Sequence, residues 1–310
     1  MEMRQLGDLW PVSALTLGGG GLGQIWGKTD RAEAVATARL AADLGITLFD
    51  MAPLYGRGEA EEVMGEAFEG LLPEGARVTT KCMLGSPEPE EVAAKLERSL
   101  QRSLKAMRLE RVDLFFLHSN ICPDEYVYGE EAETQDRWAT RLSLYADHVV
   151  PALEGLKEKG LIGDWGITGT GLPVSIMEAL RLETRPAVVQ AVANLLDSAG
   201  SMRRFEEPPE PRNIIRTAKN NDVGVMGIRA VQAGALTEAI DRPLEADNPD
   251  YKDYEKAAPF RALCKELGED PALIAHRYAL SMDGVDTVVL GVKNREELRA
   301  CVTAAEKGPL

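Results

Sequence analysis

Eight short apolar runs, each followed by a stretch with helical spacing, constrain the fold of this chain more than any other feature. The runs are ALTLGGGG, ITLFDMA, RVTTKCML, RVDLFFLHS, LIGDWGITG, AVVQAVANL, VGVMGIRAV and VDTVVLGV. They are too continuous to have one wet face, which is the pattern of strands covered on both sides. Between them, Val92, Leu96, Leu100 and Leu104 recur at four-residue spacing. Val63, Met64, Ala67 and Phe68 form a second helical stripe. Gly45 and Gly160 fall where helices should stop on a left-handed cap. Strand–helix alternation repeated eight times predicts an α/β fold, a (β/α)8 TIM barrel using residues 1–310 as a single domain. An open doubly wound sheet is the alternative. Against it, no G-x-G-x-x-G follows a strand, and no helix is expected directly after GGGGLGQIWG. The segment before the first run is expected to form a hairpin.

Composition narrows the class. A net charge of −15 disfavours nucleic acid and anionic membranes as partners. Cys82, Cys122, Cys264 and Cys301 stand far apart, and with three histidines in the chain no metal site is expected. No signal-type N-terminus or membrane-spanning run is visible, so a soluble, cytoplasmic protein is expected. Two segments exceed ordinary loop length: residues 119–139 after the fourth strand and 197–212 after the sixth. Both belong to the strand C-terminal side, where barrels build their sites. Their glutamates and prolines read as solvated loop, whereas Tyr126, Tyr128 and Trp138 are expected to form a pocket wall or lid.

The ends of strands two, three and four carry Asp50 with Tyr55 beyond it, Lys81, and His118. Any one of them is ordinary at a strand end. Together, on three successive strands, they suit proton delivery by a phenol. A free tyrosine, with a pKa of about 10, is a poor acid at neutral pH. A neighbouring ammonium is expected to lower that value by about 1–3 units. A buried lysine needs a carboxylate to stay charged, which suits Asp50. His118 suits donation to a carbonyl oxygen.

These residues in their context, DMAPLYGRGEAEEVMGEAF, KCML and VDLFFLHSN, closely resemble the aldo-keto reductase superfamily over essentially the whole chain. The resemblance implies a barrel that binds NAD(P)H across its mouth, with Asp50, Tyr55, Lys81 and His118 as catalytic tetrad. It implies that Thr168 and Gln190 hold the nicotinamide carboxamide, and that Arg229, Gln232, Gly234 and Leu236 bind the pyrophosphate. The stacking aromatic it implies would fall at Ala193 and is absent. Gly291, Lys293 and Glu297 fall at the adenosine end, and Cys301 stands there at a further departure from the usual motif. Lys293 suits a 2′-phosphate and Glu297 a ribose hydroxyl, so NADP(H) is the expected cofactor and NAD(H) its competitor. The implied activity interconverts an aldehyde, ketone or sugar lactol with an alcohol, Tyr55 acting as general acid/base on a small-molecule substrate. The alternatives are a sugar C1 dehydrogenase working oxidatively, a cofactor-sensing non-catalytic subunit, and a Schiff-base aldolase using Lys81.

Overall fold

The apolar runs become eight parallel strands because each is covered on both faces. They are β1 (Leu15–Gly18), β2 (Leu48–Asp50), β3 (Arg77–Cys82), β4 (Val112–Leu117), β5 (Ile162–Thr168), β6 (Val188–Val192), β7 (Gly224–Ile228) and β8 (Thr287–Leu290). Neighbours pair in chain order and the ring closes through β8 and β1. The (β/α)8 expectation therefore holds in this computed structural model, which describes residues 1–127, 132–240, 242–308 and 310.

Around the ring lie α1 (Arg31–Asp43), α2 (Glu59–Phe68), α3 (Val92–Met107), α4 (Val150–Glu158), α5 (Pro173–Ala179) and α6 (Pro211–Lys219). After β7 come α7 (Pro249–Lys256), α8 (Ala258–Leu267) and α9 (Pro271–Ser281), and after β8 comes α10 (Arg295–Glu306). The stripe Val92, Leu96, Leu100 and Leu104 is buried on α3, as its spacing predicts. Gly45 and Gly160 have φ of +83° and +73°, the left-handed stops expected after α1 and α4.

Period-two alternation decides what fills the barrel. Leu48, Leu114, Phe116, Val188 and Met226 form an apolar plug with Leu6 and Val12. Leu6 joins, and Val12 belongs to, the antiparallel N-terminal pair Met3–Gln5 and Pro11–Ser13, so the expected hairpin closes the bottom. Two residues further along their strands, Asp50 and Gln190 stand above Leu48 and Val188. The apolar layer ends where the polar one begins.

The glycine run itself holds a single helical turn, Gly19–Leu22, and as expected no helix starts directly after it, the next beginning at Arg31. Its glycines permit backbone contact with the exit of β8: an added Cβ on Gly21 would lie 1.9 Å from the Val292 carbonyl oxygen. Two features depart from the sequence reading, both in long segments at the strand C-terminal side. Residues 119–139 are not plain loop, since Asn120–Cys122 pairs in parallel with Ala139–Arg141 and Ala132–Trp138 is helical. Finally, the described residues 229–240 and 242–248 form a third long connection before α7. Tyr126 and Trp138 pack with Cys122, Leu172 and Phe205, joining the two long segments into one rim, and the Tyr126 hydroxyl meets Glu207 at 3.0 Å. Tyr128 lies outside the described residues.

Candidate active site

The top inward positions of β2, β3, β4 and β6 converge. Lys81 Nζ donates to Asp50 Oδ2 at 2.8 Å, to the Met51 carbonyl at 2.8 Å and to the Tyr55 hydroxyl at 3.1 Å. All three of its protons are thus placed, and the residue is completely buried. Asp50 Oδ1 accepts from Thr79 Oγ1 and from Gln190 Nε2, each at 2.7 Å. Tyr55 is delivered by the turn after β2, whose Gly56 and Gly58 have φ of +67° and +97°. Gly23 lies directly against the Tyr55 backbone, so the glycine run also fixes this turn. The His118 ring meets the Tyr55 ring edge-on, with centroids 6.0 Å apart at 88°.

Burial sets the charges here. It opposes a proton on Lys81, but the Asp50 carboxylate and Tyr55 more than offset it, and the lysine pKa is raised. Burial also raises the Tyr55 phenol, outweighing the field of Lys81, while Asp50 pushes it further up. That corrects the expected lowering: the lysine is where it should be, but its charge is already matched by Asp50. His118 is pushed down to about 3, first by burial and then by the Lys81 charge, so it is neutral near pH 7. Its Nδ1 is buried with no protein partner.

A test of stability follows. The unfolded chain binds a proton at His118 below about pH 6.5, whereas the folded one does not until about pH 3. Stability contributed by the neutral ring is complete above the unfolded value and is lost as pH falls. Between pH 6.5 and 5 the wild type should lose on the order of 1–2 kcal/mol more than His118→Gln, read from urea unfolding at both pH values. Equal losses in both proteins contradict the buried, neutral histidine.

The other nominated residues are distributed along the mouth. Thr168 is buried, its hydroxyl 3.3 Å from the Leu117 carbonyl. Gln190 is not presented openly, because its amide nitrogen is committed to Asp50. Ala193 is fully buried and offers no surface for stacking. Arg229 Nε donates to Gln232 Oε1 at 2.7 Å and its Nη2 meets Asp250 of α7 at 2.5 Å. Gln232 Nε2 donates to Asp253 at 2.6 Å. Leu236 instead belongs to a small separate core with Ala257 and Ala275. Gly291 faces the Trp26 ring, while Lys293 and Glu297 are ion-paired at 3.0 Å. Cys301 is buried beside His276, its sulfur about 4 Å from both ring nitrogens, in the helix layer.

Backbone strain concentrates after β7. Arg229, Gln232 and Ala233 have φ of 59°, 46° and 50°, and Gly234 has 93°. Non-glycine residues tolerate that region only where surroundings enforce it, typically at ligand sites, and such turns gather backbone N–H groups into anion-binding concavities. Here the N–H groups of Gln232, Gly234, Ala235 and Leu236 are bonded to carbonyls of the turn itself, so the donors it offers are the side chains of Arg229 and Gln232; with the glycine-lined exit of β1 they fit an extended dinucleotide. Thr79, Asn194, Asp250 and Asp253 join the site without any motif that marks them in the sequence. Asn194, completely buried, donates to the Ser198 and Arg229 carbonyls and to Gln232 Oε1, tying the loops after β6 and β7 together. Among the described residues no group of three or more His, Cys, Asp or Glu is placed to hold a metal ion, and no helix is long and apolar enough to cross a membrane.

Comparison with known proteins identifies the family and matches the barrel fold. A family model described as the aldo/keto reductase family matches residues 14–310. L-galactose dehydrogenase of Arabidopsis thaliana is 28% identical over 312 residues, covering 99% of this chain and 89% of that protein. D-threo-aldose 1-dehydrogenase of a Pseudomonas species is 23% identical, covering 90% and 85%. Among solved structures, the holo form of an aldo-keto reductase from Bacillus halodurans superposes with a TM-score of 0.71 at 23% identity, covering 100% of this chain and 92% of that one.

Proposed function

Because the chain belongs to the aldo/keto reductase family of oxidoreductases, we propose that it interconverts a carbonyl compound and an alcohol, with Tyr55 moving the proton. The observation that carries this reading is the Lys81 ammonium, fully buried and shared between Asp50 and the Tyr55 hydroxyl. When bound, a nicotinamide dinucleotide would supply or remove the hydride at the substrate carbon. The protein does the rest. Tyr55, held as a phenol, gives its proton to the carbonyl oxygen as negative charge develops there. Lys81 sits 4.7 Å from the Tyr55 ring centroid and stabilises the phenolate left behind. His118, neutral and edge-on to the Tyr55 ring, donates a ring N–H to the same oxygen and orients it. In the oxidative direction each step reverses, and Tyr55 must begin as phenolate.

Thr168 and Gln190 are assigned to the carboxamide, and Arg229, Gln232 and the strained turn through Gly234 to the pyrophosphate. To hold it, Arg229 would have to give up its pairing with Asp250. The substrate class best supported is a sugar aldehyde or lactol, since two relatives are named for sugar oxidation. Oxidation at a sugar C1 is therefore the second reading, using the same residues in reverse.

The test is a panel of aldehydes, ketones and free sugars assayed with NADH, NADPH and their oxidised forms across pH. Reduction should hold steady through neutral pH, where Tyr55 is protonated. Oxidation should climb towards alkaline pH, because the raised phenol pKa keeps the base scarce below it. Absence of dinucleotide-dependent turnover throughout the panel would contradict the proposal.

A further inference from the structure

We propose that this chain selects NAD(H) over NADP(H), with Glu297 as the specificity-determining residue. The inference rests on the oxidoreductase reading above and deepens it.

In parallel barrels the usual phosphate site is built from the loops after the last two strands and an adjoining helix start. Such a start attracts an anion because its first N–H groups lack partners and carry the positive end of the helix dipole. Here β8 ends at Leu290, and α10 begins at Arg295 on the same side of the ring as Asp50 and Lys81. Three of the N–H groups at this helix start are already taken by the chain itself. Lys293 N donates to Glu297 Oε2, Arg295 N to Glu33 Oε1, and Glu297 N to Asn294 Oδ1, each at 2.9 Å.

The side-chain charges are matched in the same way. Lys293 Nζ lies 3.0 Å from Glu297 Oε1. The Arg295 guanidinium grips both oxygens of Glu33, at 2.8 Å from Nη2 and 3.1 Å from Nε. Glu297 thus does two jobs at once: it neutralises Lys293 and occupies the N–H beside it. A 2′-phosphate brought here would face that carboxylate and would have to break its pair to reach the lysine. A ribose 2′-hydroxyl meets no such conflict, because it can donate to Glu297. The net charge of −15 adds a long-range disadvantage for the more anionic dinucleotide.

The test measures dissociation constants of NADH and NADPH by calorimetry, at low salt and at about 0.3 M salt, for the wild type and Glu297→Gln. The wild type should bind NADH about tenfold tighter or more, and salt should narrow that gap, since screening relieves a repulsion. Glu297→Gln should tighten NADPH by about fivefold while NADH stays within about threefold. NADPH binding as tightly as NADH, or losing more affinity than NADH as salt rises, overturns the inference. So does an equal change for both dinucleotides in Glu297→Gln. If that variant does not fold, the wild-type affinities and salt series decide alone. Failure of the wild type to bind either dinucleotide overturns the oxidoreductase reading instead, and this inference with it.

Discussion

In Tyr55→Phe, turnover is expected to fall by about 10²-fold or more while dinucleotide affinity stays within about twofold. The change removes one oxygen and little else. The phenyl ring keeps its edge-on contact with His118, and Lys81 keeps Asp50 Oδ2 and the Met51 carbonyl, each at 2.8 Å. Charge and shape in the pocket are therefore conserved, and the loss reports on proton transfer. Steady-state rates beside calorimetric cofactor binding separate the two. Near-normal turnover in this variant removes the proposed acid.

Lys81→Met is expected to be inactive and also less stable, for a different reason. The ammonium lies in a completely buried position, so its loss leaves the Asp50 carboxylate and the Met51 carbonyl facing an apolar chain. Breaking a buried pair from one side costs about 3–5 kcal/mol. Here the lower end of that range is expected, because Thr79 and Gln190 still donate to Asp50 Oδ1. Adding Asp50→Asn removes the stranded charge, so the double variant should recover most of the stability and none of the activity. Urea unfolding and rates on the three variants check this. Equal stability of Lys81→Met and wild type contradicts the coupled pair. The raised Lys81 pKa also weighs against the Schiff-base aldolase alternative, which needs a neutral amine.

The barrel was legible in the sequence because burial on both faces leaves strands without polar interruptions, and all eight runs became strands. Asp50, Lys81 and His118 were legible for the complementary reason: each breaks an apolar run at its C-terminal end. Tyr55 was flagged by the turn glycines around it. What escaped were partnerships across sequence distance. Nothing near Gln190 shows that its amide will serve Asp50, since β2 and β6 meet only when the ring closes. The Arg229–Asp250 pair likewise joins β7 to α7, a polar helix whose sequence PDYKDYEK carries no apolar stripe to announce it. The Lys293–Glu297 pair was readable in principle from its four-residue spacing at a helix start. Considered separately, as one attraction and one repulsion towards a phosphate, the two residues conceal that they satisfy each other. The direction of the Tyr55 shift needed burial as well as neighbours, and only the packed structure supplies that.

Under the proposed function, hydride should pass between a dinucleotide and the substrate carbon while Tyr55 handles the proton. Doubly C4-deuterated NADH, incubated with the best carbonyl substrate of the panel, tests it most directly by mass spectrometry of the alcohol product. The wild type in ordinary water should give one deuterium on the carbinol carbon, and Lys81→Met no labelled product. Product whose new carbon-bound hydrogen comes from solvent, or substrate trapped on Lys81 by borohydride, would contradict it.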